Sequence, residues 1–300
     1  MEVSLSYYSL NQYLQDQFGR KVYKIALNGG FTCPNRDGTI DTRGCIFCSA
    51  GGSGDFAGNP EKSIQKQIED GKRLVSSKIH DGKYIAYFQA YTNTYGPIEK
   101  LKTLYEEAIH HPDIVALSIA TRPDCLPEEV LNLLEKLNRI KPVWVELGLQ
   151  TIHEKTAQYI RRGYPLAKYD EAVRNLRARG LEVITHVILG LPGESKEDMK
   201  ATVAYVCSHQ ATGIKLQLLH VLERTDLAEE YRRGKISVMS EDEYVNLLME
   251  LLAVIPNDIV IHRLTGDGRK KDLIAPMWSG NKKQVLNHIQ KALKEADSSM

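Results

Sequence analysis

The sequence is poor in several features that mark large protein classes. Its 300 residues include only five cysteines, and the formal net charge is +1. An odd number of cysteines without an export signal argues against a disulfide framework, because such frameworks pair cysteines in secreted chains. A charge this close to zero gives no overall basic field for nucleic acid, although a local basic patch stays open. No apolar run approaches the length of a membrane span, so no membrane partner is expected.

The N-terminal residues lack a targeting signal. The first 20, MEVSLSYYSLNQYLQDQFGR, contain no basic segment followed by an apolar core, so no signal peptide is predicted. The 42% hydrophobic and 26% charged residues are typical of a globular protein. We therefore expect a cytoplasmic protein whose cysteines are free thiols or ligands.

Short apolar segments rich in β-forming residues alternate with segments that have helical apolar spacing. This alternation predicts parallel βαβ units, and their regular spacing favours a barrel or part of one. A doubly wound open sheet is the alternative, ranked second because no glycine-rich phosphate-binding fingerprint follows the first strand. We predict a barrel domain over residues 1–265 with an N-terminal lead-in, and an accessory helix or tail over 266–300. The predicted strands are 24–28, 84–88, 114–119, 143–147, 182–189 and 214–219.

Two predicted strands carry polar residues on the face that would point into the barrel. In VWVELGLQ (143–150), the valines and leucines share one face, and Glu146 and Gln150 share the other. In IVALSIATR (114–122), Ser118 and Arg122 similarly share the face opposite the large aliphatic side chains. Buried polar groups are costly unless they are hydrogen-bonded, so this pattern indicates ligand binding at the C-terminal ends of the strands.

Three of the five cysteines lie close together, as Cys33-x11-Cys45-x2-Cys48, whereas Cys125 and Cys207 are distant. A Cys-x2-Cys turn is shared by zinc and iron–sulfur sites. Three thiolates on a cubane cluster leave one iron open for a non-protein ligand, and the surrounding glycines allow the backbone to approach a bulky cofactor. A redox-active Cys-x-x-Cys pair, or a zinc site completed from elsewhere, remains open on spacing alone.

The whole set of motifs resembles the radical S-adenosylmethionine (radical SAM) enzymes. The resemblance is greatest to the branch containing the Elongator catalytic subunit, and within it to a bacterial family of about this length. The wide eleven-residue gap is the most telling feature, since the commonest radical SAM motif has three residues there. The matching motifs are GGFTCPNRDG (29–38), GCIFC (44–48), FQAYTNTYGP (88–97), TRPDCLP (121–127), ELGLQT (146–151), GLPGES (190–195) and IHRLTGD (261–267).

This resemblance implies a fold, two cofactors and a partner. The implied fold is an α/β partial six-stranded (β/α)6 barrel with a short helical C-terminal extension. A [4Fe–4S] cluster on Cys33, Cys45 and Cys48 would bind S-adenosylmethionine (SAM) on its open iron. Reductive cleavage of SAM would give a 5′-deoxyadenosyl radical that removes hydrogen from substrate. A low-potential electron donor, flavodoxin or ferredoxin, is the expected partner.

Several polar residues are candidates for holding SAM. Gln89, Arg122, Glu146 and Gln150 carry groups suited to its carboxylate and ribose diol. An ion pair between Arg122 and Glu146 is the structural alternative. Gly190 opens a segment that resembles the family's adenine-side loop, with an ordinary strand-to-helix turn as the alternative.

For other polar residues a structural role is favoured. His186, His220 and His262 are expected to be structural, Tyr91 to pack, and Cys125 to lie near the barrel mouth without forming a second cluster. Weak candidates for phosphate contacts are the basic pairs Arg161–Arg162, Arg232–Arg233, Arg269–Lys271 and Lys282–Lys283.

Two classes of substrate are consistent with these observations. The first is RNA, most specifically the C5 side chain of a tRNA wobble uridine, and the second is a small metabolite or a peptide. A non-enzymatic iron–sulfur or zinc module is a distant third. About 35 residues follow the last motif, so the acetyltransferase activity of the Elongator subunit is not carried over.

Overall fold

A computed structural model describes residues 7–78, 82–266 and 268–298. The described residues contain one seven-stranded parallel sheet whose strand order follows the chain. Its strands are β1 Val22–Leu27, β2 Lys83–Phe88, β3 Ile114–Thr121, β4 Val143–Gln150, β5 Glu182–Leu189, β6 Gly213–Leu218 and β8 Val260–Arg263. A second, two-stranded antiparallel sheet pairs β7 Val221–Leu222 with β9 Leu273–Ala275.

Amphipathic helices connect the strands and cover the outside of the large sheet. Those at 196–208 and 241–252 begin at the capping boxes of Ser195 with Asp198 and Ser240 with Glu243. The helices are α1 Leu10–Phe18, α2 Ile64–Val75, α3 Ile98–Ile109, α4 Glu128–Asn138, α5 Glu154–Tyr159, α6 Leu166–Arg177, α7 Lys196–Ser208, α8 Asp226–Arg232, α9 Glu241–Leu252 and α10 Lys282–Ser298. None of the described helices is long and apolar enough to cross a membrane.

The sheet curls into a partial barrel, as expected. All six predicted strands are present, and β8 is a seventh that the sequence analysis missed. The doubly wound alternative is wrong, because neighbouring strands follow chain order without the reversal that such sheets show. The four-residue strand VIHR was too short, and too polar at its end, to give a strand signal. The proposed domain division between residues 265 and 266 stays a prediction.

Strand parity separates the two faces of the sheet as predicted. Val143, Val145, Leu147 and Leu149 of β4 join the large core beneath the helices. Trp144 joins a smaller cluster inside the barrel with Leu14 of α1 and one residue from each neighbouring strand. Apolar side chains therefore close one end of the barrel, and the polar inward residues lie above them toward the C-terminal ends of the strands.

Candidate functional site: the cysteine loop and the barrel cavity

The three clustered cysteines line one cavity of about 240 Å³ at the C-terminal end of the barrel. They lie on the long loop between β1 and α2. The Cys48 N–H donates to the Cys45 carbonyl at 3.0 Å, which forms the turn that Cys-x2-Cys spacing predicts. The Cys33 carbonyl accepts from the backbone N–H groups of Arg36 at 2.8 Å and Asp37 at 3.2 Å. The loop backbone thus fixes all three thiols on the wall of the same cavity.

Side chains from outside the Cys-x2-Cys turn hold the loop closely. The Tyr91 hydroxyl donates to the Ala50 carbonyl at 2.6 Å. A Cβ at Gly52 would lie 2.3 Å from the Tyr91 ring, so the close approach requires glycine, whose φ here is +57°. Arg36 Nη2 donates to the carbonyls of Cys48 at 3.0 Å and Ser49 at 2.7 Å. Tyr91 is therefore a structural support of the loop, in agreement with the packing role favoured for it.

The donor set fits an iron–sulfur cluster better than a single metal ion. Burial raises the pKa of the Cys45 thiol to about 12 and raises that of Cys48, although Arg36 opposes the shift at Cys48. Deprotonated thiols here therefore need a positive partner. Within the described ranges, no three His, Cys, Asp or Glu side chains converge on one ion position, as zinc would require. Each thiolate of a cubane binds a different iron, so three separated thiols satisfy that geometry.

Arg122 lines the cavity but is paired locally. Its Nε and Nη2 donate to the two carboxylate oxygens of Asp124 at 2.9 and 2.8 Å, and Nη1 donates to the Arg162 carbonyl at 2.9 Å. Burial disfavours the charged guanidinium of Arg122, but its hydrogen bonds and ion pair with Asp124 outweigh this cost, so the pKa of Arg122 is raised. The alternative ion pair with Glu146 is therefore wrong. Arg122 directly follows the end of β3, and the Asp124 carboxylate, two residues later in the loop, lies within reach of its guanidinium.

Gln89 and Gln150 line this same cavity but differ in their hydrogen bonding. Gln89 Nε2 donates to the Ser53 carbonyl at 2.8 Å, which joins the end of β2 to the cysteine loop. Gln150 has a φ of +70° where the β4–β5 register shifts, and its buried Oε1 has no hydrogen-bond partner among the described residues. Buried acceptors are normally satisfied, so Gln150 is suited to accept from a ligand N–H or O–H.

Gly190 lies outside the residues that line the cavity. Its N–H donates to Met199 Sδ at 3.0 Å, and its φ is +85° at the turn after β5. Its contribution to SAM binding stays a prediction.

Glu146 is fully buried at the centre of an ion cluster inside the barrel. Its Oε1 accepts from Lys24 at 2.7 Å and from Ser118 at 2.6 Å, while Oε2 contacts His186 at 2.7 Å and Lys215. Burial opposes ionisation, but Lys215 and Lys24 hold the pKa of Glu146 well below its usual range. All four acceptor positions are occupied, so a role in holding the lysines is better supported than a SAM contact, which stays a prediction.

Comparisons with known proteins decide the family. A model described as the radical SAM superfamily matches residues 38–206, and one described as the radical SAM C-terminal domain matches 211–295. The chain belongs to the radical SAM superfamily. This radical SAM protein is 48% identical over 292 residues to the uncharacterized protein YtqA of Bacillus subtilis (strain 168), covering 97% of this chain and 91% of that protein.

Two further relatives connect it to Elongator-type proteins. The radical SAM protein is 28% identical over 173 residues to a tRNA uridine(34) acetyltransferase of Methanocaldococcus jannaschii, covering 57% of this chain but only 31% of that protein. The solved structure of the archaeal Methanocaldococcus infernus Elp3, with an N-terminal deletion, matches with a TM-score of 0.67 at 20% identity. The match covers 90% of this chain and 63% of that one, and it shows the shared fold.

Membership of the superfamily establishes the cofactors and the class of reaction. Radical SAM enzymes use a [4Fe–4S] cluster and SAM, so this enzyme uses both and needs a reductant. When bound, the two supply reductive SAM cleavage and removal of a hydrogen atom from substrate. The cysteine loop, Gln89, Arg122 and Gln150 line one cavity, and their roles in holding the cluster and SAM stay predictions.

The histidines and Cys125 lie in three different settings. Burial and the Lys215 charge lower the pKa of His186 to about 4, although Glu146 opposes this, and burial holds the pKa of His262 well below its usual range. Both rings are therefore neutral at pH 7, and His262 packs edge-on against Trp144. His220 lines the same cavity as the three clustered cysteines. Cys125 is buried beside a separate cavity of about 600 Å³, and burial raises the pKa of its thiol to about 12.

The basic pairs divide into structural and surface groups. Arg162 is 2% exposed and donates to three backbone carbonyls, including that of Leu149, so its nomination as a phosphate contact is wrong. Arg161 pairs with Asp226 at 2.6 Å. Arg269 Nε donates to the Asp55 carbonyl of the cysteine loop at 3.0 Å. This contact places the two exposed lysines that follow Arg269 near the mouth of the barrel.

Lys24 and Lys215 are two charged residues of the site that no sequence motif singled out. Strand parity was the available signal, because each lies on an otherwise apolar strand, in KIALN and IKLQLL, with its side chain on the inward face.

Proposed function

We propose that this radical SAM enzyme acts on the C5 side chain of a tRNA wobble uridine in the cytoplasm. The observation that carries the proposal is the 28% identity to a protein named as acting on uridine 34 of tRNA, the wobble position. Because the chain spans 31% of that protein, acetyl transfer is not part of the proposal. Flavodoxin or ferredoxin is the proposed electron donor.

The shape of the site supports a nucleobase side chain as substrate. The cysteine-lined cavity opens at the C-terminal ends of the strands, beside the cysteine loop. Enzymes that modify a base commonly receive it flipped out of its stack into such a pocket. Lys270 and Lys271 are exposed next to Arg269, which contacts the loop, so anticodon phosphates would find positive charge near the opening.

The chemistry of the side chain also supports the proposal. C5 side chains of wobble uridines offer C–H bonds next to nitrogen or to a carboxylate. Hydrogen abstraction there gives a stabilised carbon radical and 5′-deoxyadenosine, which accounts for the transferred atom. Residues around the cavity would hold the base so that this bond lies nearest the radical.

Mass spectrometry of tRNA nucleosides tests the proposal. Cells that lack the gene should accumulate a precursor at the wobble uridine, and the wild-type gene should restore the modified nucleoside. A gene encoding Cys45→Ala should not restore it, whereas Cys207→Ala should. An unchanged wobble-uridine profile, together with no tRNA binding by the purified protein at low salt, would overturn the proposal in favour of a small metabolite or a peptide.

A further inference from the structure

Another cavity, of about 300 Å³ and here called the second cavity, adjoins the cysteine-lined cavity. Its lining includes three cationic side chains, Lys24, Lys215 and Arg263, and no carboxylate among the residues that the structure describes there. Tyr87 and Gln89 line both this cavity and the cysteine-lined cavity. A ligand group in the second cavity would therefore belong to a molecule that reaches the first.

The two lysine ammonium groups lie around one aromatic ring. Lys24 Nζ is 5.0 Å and Lys215 Nζ 4.7 Å from the centre of the Tyr87 ring. Both also contact the Glu146 carboxylate. The side chains of Lys24 and Lys215 are 19% and 4% exposed, so little water screens their charges. The half-buried Lys24 ammonium and the buried Lys215 ammonium thus share one carboxylate.

Among the described contacts of this cluster, one carboxylate serves two lysines. Burial lowers the pKa of the Lys215 ammonium to about 7, and the charges of Lys24 and Arg263 lower it further, while the Glu146 carboxylate opposes them. A bound anion would favour the charged form of Lys215. His186 and His262 are neutral at pH 7, so they do not alter the count. Burying a charge is costly unless it is paired, and an anion between the lysines would complete the pairing.

We propose that Lys24 and Lys215 form a subsite for an anionic group of the substrate, a carboxylate in the C5 side chain proposed above. The assignment of the anion to an RNA side chain rests on the proposed function, whereas the anion subsite itself does not. The subsite would select substrates that carry the anion and would hold the adjacent carbon in the cysteine-lined cavity. Glu146 acts as a positioning residue, because it holds both ammonium groups in place.

Binding of modified anticodon stem–loops tests the subsite. One stem–loop carries a carboxymethyl group at C5 of the wobble uridine, and the other carries its uncharged methyl ester. The wild-type enzyme should bind the carboxylate about tenfold more tightly, because charge-assisted hydrogen bonds are the stronger ones. Lys24→Gln should bind the two within about twofold of each other, and Lys24→Arg should regain part of the preference. Equal affinities in the wild type, or an unchanged preference in Lys24→Gln, would overturn the proposal.

A matched control separates the subsite from general loss of charge. Lys83, at the start of β2, pairs with the Asp113 carboxylate at 3.2 Å outside the barrel. Lys83→Gln should keep the tenfold preference. SAM affinity is measured for the same variants, because SAM also carries a carboxylate. If Lys24→Gln weakens SAM binding as much as it weakens stem–loop binding, the subsite belongs to SAM and the proposal fails.

An RNA-free measurement distinguishes failure of the subsite from failure of the proposed function. Thermal unfolding of the reconstituted enzyme is compared in sodium acetate and sodium chloride at equal ionic strength. Acetate should raise the Tm of the wild type and of Lys83→Gln relative to chloride, but not that of Lys24→Gln. If neither stem–loop binds while this pattern holds, the RNA assignment falls and the anion subsite stands. The same Tm in both salts for the wild type would refute the subsite itself.

Discussion

Replacing Glu146 with glutamine removes the charge at the centre of the barrel's ion cluster while nearly keeping its shape. The carboxylate is fully buried and contacts Lys24, Lys215, His186 and Ser118. A neutral amide would leave two lysines without an anionic partner inside the barrel. We therefore expect Glu146→Gln to be among the more destabilising conservative changes in the chain.

The size of the effect follows from the burial of the cluster. Removing one partner of a buried ion pair costs about 3–5 kcal/mol, because an uncompensated charge remains. An unfolding entropy of about 2.1 cal/mol/K per residue gives about 0.6 kcal/mol/K for a chain of this length. The Tm should therefore fall by about 5–8 °C at pH 7. The partial exposure of Lys24 favours the lower end of this range.

Thermal unfolding followed by circular dichroism measures the effect, and its pH dependence identifies the cause. The pKa of Glu146 is held well below its usual value of 4.5 in the folded protein. Its contribution to stability is therefore present in full above pH 4.5 and is lost as the pH falls toward the folded pKa. The difference in Tm between wild type and Glu146→Gln should accordingly narrow below pH 4.5.

Glu250→Gln is the matched control. Glu250 also contacts two lysines, Lys196 and Lys200, but its side chain is 39% exposed on the surface. Exposed ion pairs contribute little because water and salt screen them, so its Tm should change by no more than about 2 °C. The double variant Glu146→Gln/Lys215→Met should recover part of the lost stability. A Glu146→Gln shift no larger than that of Glu250→Gln would refute the reasoning.

Three other predictions concern the cofactors and the RNA. Alanine at Cys33, Cys45 or Cys48 should abolish the roughly four irons per chain of reconstituted protein, whereas Cys125→Ala and Cys207→Ala should keep them; iron loss in Cys207→Ala would contradict the ligand assignment. Gln150→Ala should weaken SAM binding about three- to tenfold while the iron content stays the same, and the surface variant Gln158→Ala should bind SAM like the wild type. An unaltered SAM-binding isotherm in Gln150→Ala would remove Gln150 from the site. Lys270→Glu with Lys271→Glu should lower both the affinity for tRNA and the salt dependence of binding, without affecting SAM cleavage. The control Lys136→Glu with Arg139→Glu, at the end of α4, should keep the wild-type tRNA affinity. Equal losses of affinity in the two double variants would indicate nonspecific binding.

The sequence predicted the inward position of Glu146 but not its partners. Parity along a strand is local, so the two faces of β4 could be predicted from its alternating residues. The partners Lys24 and Lys215 are 122 and 69 residues away and come from β1 and β6. Such contacts depend on the curvature and register of the whole sheet. Arg122, the nearest candidate in sequence, instead pairs with Asp124.

The cysteine loop shows the same division between local and long-range information. The spacing of the three cysteines predicted a shared site, and the structure places all three on one cavity. The sequence, in contrast, gave no sign that Arg162 is buried, because a pair of adjacent basic residues usually indicates a solvated surface. Arg162 is buried because its guanidinium donates to the carbonyls of Leu149, Thr151 and Tyr164, and buried carbonyls need donors.

The contacts that fix the cysteine loop explain how an otherwise irregular segment can serve radical chemistry. Gln89 and Tyr91 bind it from the end of β2, Arg161 Nε donates to the Gly44 carbonyl at 2.8 Å, and Arg269 contacts Asp55. Three separate parts of the chain therefore hold one loop. A primary carbon radical reacts with whichever C–H bond lies nearest, and misplacement by about 1 Å can cost about a hundredfold in rate. The selectivity of the enzyme thus depends on these supports as much as on the residues that touch the substrate.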